Sequence, residues 1–89
     1  MGATPLLAAK TDKKYRTALI GSGWWGMNIM REALAAGRST AVALADPSPD
    51  ALETSAEEIT DLSGDTPKTY KDYREMFAKE KIDIAIVAT

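Results

Sequence analysis

The run Gly21-Ser22-Gly23-Trp24-Trp25-Gly26 constrains the fold of this chain more than any other feature. It follows a short apolar stretch, Arg16 to Ile20, which reads as a buried strand ending at a glycine. It precedes Trp24 to Ala36, where the apolar spacing becomes helical: Gly26, Ile29, Met30 and Ala33 share one face, and Asn28, Arg31 and Glu32 lie largely off it. Gly37 suits the C-terminal stop of that helix. A glycine-rich bend between a strand and a helix leaves only a few ways for the chain to continue.

The continuation repeats the alternation. Thr40 to Asp46 is near-continuously apolar, as expected of a strand buried on both faces. Ser48 caps a second helix with Pro49 at its first position, and Ala51, Leu52, Ala56, Ile59 and Leu62 give it an apolar side. Ser63 to Pro67 is a loop, and Lys68-Thr69-Tyr70 is a short third strand. Asp72 starts a third helix, with Glu75 placed for a capping box and Tyr73, Met76 and Phe77 on its apolar side. Lys81 to Thr89 is the strongest strand signal. Lys79, Glu80 and Lys81 read as a solvated helix end, and Asp83 as a residue at the entrance of the last strand. Strands alternating with helices at this spacing imply an α/β fold: a doubly wound parallel sheet, incomplete, in the order 3-2-1-4.

Each position in the glycine run has a chemical reason. Gly21 permits the tight turn out of the strand. Gly23 lets the backbone approach a pyrophosphate. Gly26 lets the helix pack close to the sheet. The helix N-terminus then presents N–H groups and a positive dipole end to the phosphates. Asp46 stands about 20 residues beyond Gly26, where the dinucleotide fingerprint wants an acid for the adenosine ribose, although an Asp also suits the turn in Asp46-Pro47-Ser48-Pro49-Asp50. That carboxylate repels a 2′-phosphate, and Pro47 and Ser48 follow it where an arginine would favour NADP, so NAD is expected over NADP. Trp24 and Trp25 are not demanded by this chemistry. Either one indole walls the cofactor crevice while the other packs on a neighbouring segment, or both are packing residues.

Composition narrows the function classes. The 89 residues include no cysteine and no histidine, which removes thiolate and imidazole chemistry and the usual zinc ligands, so no metal site is expected. A net charge of −2 leaves no footprint for nucleic acid. No apolar run is long enough for a membrane span. The first 14 residues have too short an apolar segment for a signal peptide, and Leu6 stands where a myristoylation motif wants Ser or Thr, so they read as a frayed tail. A cytoplasmic location is expected.

From Tyr15 to Thr89 the chain resembles the N-terminal domain of the glucose-fructose oxidoreductase / inositol dehydrogenase (Gfo/Idh/MocA) family. The pieces that carry the resemblance are ALIGSGWWG, ALADPSPD, TYKDYREMF and KIDIAIVAT, in the family's order and spacing. The resemblance implies an NAD(P)-dependent oxidoreductase acting on a sugar, polyol or related small molecule. It places Gly21, Ser22, Gly23, Trp24, Trp25 and Gly26 along the pyrophosphate, Asp46 at the adenosine ribose, and Ala88 and Thr89 on the ribose-nicotinamide side. The family's catalytic Glu-Lys-Pro segment and its substrate domain, which usually mediates oligomerisation, have no counterpart up to Thr89. No catalytic residue is therefore assigned, and the chain is expected to be the inert cofactor-binding piece of a longer enzyme. Two other readings remain open on the residues alone: a non-catalytic nucleotide-sensing module, and an S-adenosylmethionine methyltransferase. Gly26 at the helix-packing position argues against the second of these.

Overall fold

A computed structural model describes residues 14–88. Residues 1–13 of the expected tail, and Thr89, lie outside the described residues. The elements are β1 (Tyr15–Ile20), α1 (Trp24–Ala35), β2 (Ser39–Ala45), α2 (Pro49–Ser63), β3 (Lys68–Tyr70), α3 (Tyr73–Lys79) and β4 (Ile84–Val87). The sheet is parallel throughout and runs β3-β2-β1-β4, the order expected from the alternation of elements. One extra residue, Val42, interrupts the β1–β2 register between Thr17↔Ala41 and Ala18↔Ala43.

Alternation along the strands divides the core into two layers. Leu19 and Leu44 point to one face, where Met27 and Met30 of α1 and Leu52 and Ile59 of α2 cover them. Ala18, Ala43 and Ala45 point to the other face, where Met76 of α3 packs on them. Three alanines leave room for a helix to come close, and Met76 fills that room without exposure. The buried stripe of α1 is Gly26, Met27 and Met30, so Met27 joins the face expected from spacing and Ile29 is only half-buried. On α3 only Met76 is buried. Tyr73 and Phe77, expected on its apolar side, stack edge-to-face on each other at 6.5 Å and stay about half exposed, because α3 covers β2 and β3 rather than β4.

The helix ends follow from local chemistry. Ser48 Oγ accepts from the Ala51 N–H, with Pro49 in the first turn of α2. Gly64 closes that helix at φ 80°, a left-handed angle that glycine adopts without strain. Gly37, also at φ 80°, donates to Leu34 beyond the end of α1. The capping box on α3 does not close. Asp72 does cap, accepting from the Arg74 N–H at 2.8 Å, but the Glu75 carboxylate turns forward to Lys79 one helical turn on. The strand expected over Lys81–Thr89 is observed over Ile84–Val87. Asp83 lies at its entrance, where its carboxylate accepts from the Arg16 N–H.

Glu80 departs from expectation most. Its side chain is 10% exposed rather than solvated. It accepts from the Tyr70 hydroxyl at 2.5 Å and lies 3.6 Å from the Arg16 guanidinium, which also donates to the Lys81 carbonyl. The cluster ties β3, the end of α3 and β1 together. The Glu80 hydrogen bond, followed by burial and the Glu80 charge, pushes the Tyr70 hydroxyl up to about 12. A phenol held in its protonated form stabilises the fold below its unfolded value, about 10, and loses that contribution as pH rises toward 12. Urea midpoints are therefore expected to fall between pH 10 and 12, and Tyr70→Phe is expected to remove that fall. An unchanged profile in Tyr70→Phe would mean that the hydrogen bond does not form in solution.

Candidate cofactor site

The parallel sheet brings the ends of all four strands to one edge. Gly21 N–H donates to the Ala45 carbonyl at 2.8 Å, Asp46 N–H to Tyr70 at 3.0 Å, and Ala88 N–H to Ile20 at 2.9 Å. Ladder bonds thus continue one residue past β1, β2 and β4 and line up Gly21, Asp46 and Ala88, and Lys71 follows the Ala45↔Tyr70 pair at the same edge. The reversal of strand order between β1 and β4 makes this edge the switch point where open α/β sheets bind ligands.

The three glycines of the bend differ in what they need. Gly21 has φ 88°, so the turn out of β1 requires a residue tolerant of left-handed geometry. A Cβ on Gly26 would lie 2.2 Å from the Gly21 carbonyl oxygen, 3.1 Å from Leu19 Cδ1 and 3.2 Å from Ala88 Cβ. Close packing of α1 on the sheet therefore excludes any side chain there. Gly23 is at φ −77°, which any residue adopts, and a Cβ on it would meet nothing within 4 Å. Neither backbone strain nor protein packing accounts for a glycine at that position, and the space beside it is open.

Gly23 is also the N-cap of α1, and among the described residues no side chain caps this helix or places a carboxylate in its first turn. Ser48 and Asp50 serve α2, and Asp72 and Glu75 serve α3. The amide end of α1 is therefore open to an outside acceptor.

Asp46 sits just past β2 and holds the bend. Its Oδ2 accepts from the Ser22 N–H at 2.9 Å and from the Ser22 hydroxyl at 3.3 Å, and its Oδ1 accepts from the Ser48 N–H at 2.8 Å. It thus serves both the turn and the glycine bend. A carboxylate has about four acceptor sites, so Oδ1 retains one for a further donor, and the long Ser22 hydroxyl contact is the easiest to exchange. Ser22 is buried, and its carbonyl accepts from the buried Ser55 hydroxyl at 2.9 Å. Ser55 anchors the bend to α2. It occupies a buried position on the helix, and hydrophobic periodicity missed it because its partner lies 33 residues away.

Gly21, Gly23, Asp46, Pro47 and Ala88 line a cleft of about 520 Å³ together with Lys71 and Tyr73. Sequence reasoning did not select Lys71 or Tyr73; the signal for them was their place just after β3, which the strand order carries to this edge. Trp24 and Trp25 are 75% and 61% exposed, with ring centroids 6.3 Å apart. Among the described residues, neither ring joins the buried core. Trp24 borders a separate depression between α1 and α2 with Ser22, Arg31 and Glu58, where Arg31 pairs with Glu58 and Asn28.

Solved structures share this fold. The WlbA dehydrogenase from Chromobacterium violaceum, in complex with NADH and UDP-GlcNAcA, matches 89% of the chain at 28% identity and a TM-score of 0.72. An oxidoreductase from Agrobacterium radiobacter, in complex with NAD+, L-tartaric acid and magnesium, matches 86% at 25% identity and 0.73. The chain is similar to NAD-dependent dehydrogenases of the Gfo/Idh/MocA type. The scyllo-inositol dehydrogenase from Lactobacillus casei, with bound NAD(H) and scyllo-inositol, matches 86% at 18% identity and 0.69, and supports the fold. The chain spans about a fifth of the length of these proteins, 21% of the first two and 22% of the third. No protein-family model and no curated relative matches it. Among the described residues, no helix is long and apolar enough to cross a membrane.

Proposed function

We infer that the chain, from Tyr15 onward, is the dinucleotide-binding domain of an oxidoreductase that uses NAD and acts on a sugar, polyol or related small molecule. The observation that carries this reading is the open space beside Gly23 at the uncapped start of α1. The pyrophosphate lies there against the backbone of Gly21, Ser22, Gly23, Trp24, Trp25 and Gly26. Asp46 Oδ1 takes a ribose hydroxyl on its remaining acceptor site. Ala88 faces the ribose-nicotinamide side. Bound NAD supplies a hydride acceptor; the residues described bind and orient it, and none is assigned a proton-transfer role.

NAD and NADP titrated into the full chain by calorimetry test this reading. NAD is expected to bind more tightly than NADP. Asp46→Ala is expected to weaken NAD about tenfold, the scale of one hydrogen bond to a charged group. A bend that merely collapsed in Asp46→Ala would weaken both nucleotides alike, whereas loss of the ribose acceptor weakens NAD and spares NADP. Absence of saturable NAD binding by the unmutated chain refutes the assignment.

A further inference from the structure

The register at the ligand edge places a second charged residue beside Asp46. Ala45 pairs with Tyr70, and the Asp46 N–H donates to the Tyr70 carbonyl, so Asp46 and Lys71 leave their strands side by side. Both line the same cleft, in which Lys71 is the only cationic residue among those lining it. Among the described residues Lys71 is exposed and forms no ion pair. Asp46, in contrast, is committed through Ser22 and Ser48 to the bend. The cleft therefore holds a fixed carboxylate and an unengaged ammonium on a four-carbon stem.

Given the dinucleotide reading on which this rests, we propose that Lys71 is a second determinant of cofactor choice, receiving a 2′-phosphomonoester so that the site retains NADP as well as NAD. Asp46 alone excludes NADP by placing a carboxylate against a dianion. An ammonium abreast of it compensates that repulsion when a phosphate is present. With NAD, whose 2′ position is a neutral hydroxyl, it has no charge to meet. The long stem lets Lys71 reach the phosphate or withdraw to solvent, so the ammonium favours NADP without costing NAD affinity.

The test compares NAD and NADP affinities of the full chain with those of Lys71→Gln and Lys71→Arg. In the unmutated chain NADP is expected to bind within roughly tenfold of NAD, and Lys71→Gln is expected to weaken NADP roughly fivefold while changing NAD less than about twofold. Lys71→Arg is expected to retain NADP. Added salt is expected to weaken NADP more than NAD, and Lys71→Gln to remove that difference. Equal shifts for both nucleotides in Lys71→Gln, or none for NADP, would overturn the role of Lys71 while leaving the NAD site intact. Binding of neither nucleotide by the unmutated chain overturns the dinucleotide reading and this inference with it.

Discussion

Gly26→Ala is expected to destabilise the protein by about 3 kcal/mol, near the upper end of what overpacking costs. The added methyl meets the Gly21 carbonyl oxygen at 2.2 Å, inside any tolerable contact. That oxygen belongs to a bend whose N–H is bonded to β2 and whose φ is already left-handed, so it cannot retreat without undoing the turn. Leu19 Cδ1 and Ala88 Cβ close the other directions, and Leu19 is wholly buried. The helix must instead lift from the sheet, which loosens Met27 and Met30 from Leu19 and Leu44. For a domain of this size the loss corresponds to a fall in Tm of about 15 °C, measured by far-UV circular dichroism. An unchanged Tm would mean that α1 does not make this close contact with the end of β1.

The contrast between Gly26 and other positions explains what local sequence encodes. The strand order, the bend, the role of Gly26 and the place of Asp46 were legible because each depends on short-range spacing: a glycine at a fixed offset, an acid at the end of the next strand, helices alternating with strands. The Ser48 and Asp72 caps were legible for the same reason. Glu80, Ser55 and Lys71 were not. Glu80 sits in a charged run that looks solvated, and only the folded topology brings Arg16 and Tyr70 to it. Ser55 is a polar residue on a buried helical position, excused by a carbonyl from a different element. Lys71 matters because β3 pairs beside β2, so that a residue 25 positions after Asp46 stands next to it in space. The exposure of Tyr73 and Phe77 has the same origin: periodicity fixes which residues share a helical face, but what lies opposite that face is decided by the sheet.

Gly23→Ser is expected to leave the fold intact and to weaken NAD binding at least roughly tenfold, the largest functional effect of any single substitution considered. The two halves of this expectation come from one geometry. At φ −77° and ψ −170° the backbone suits serine, the new Cβ meets nothing within 4 Å, and serine is a better N-cap than glycine by a few tenths of a kcal/mol. The urea midpoint should therefore hold or rise slightly. The same hydroxyl, however, takes an amide of the first turn of α1 for itself, and its Cβ occupies the space through which a pyrophosphate approaches the backbone. A substitution that satisfies the helix thus competes with the ligand for the same donors. If NAD affinity were retained in a folded Gly23→Ser, the space beside Gly23 would not be where phosphate binds, and the uncapped start of α1 would need another explanation. If instead the variant lost both stability and binding, Gly23 would be a structural glycine, contrary to the open surroundings of its Cα.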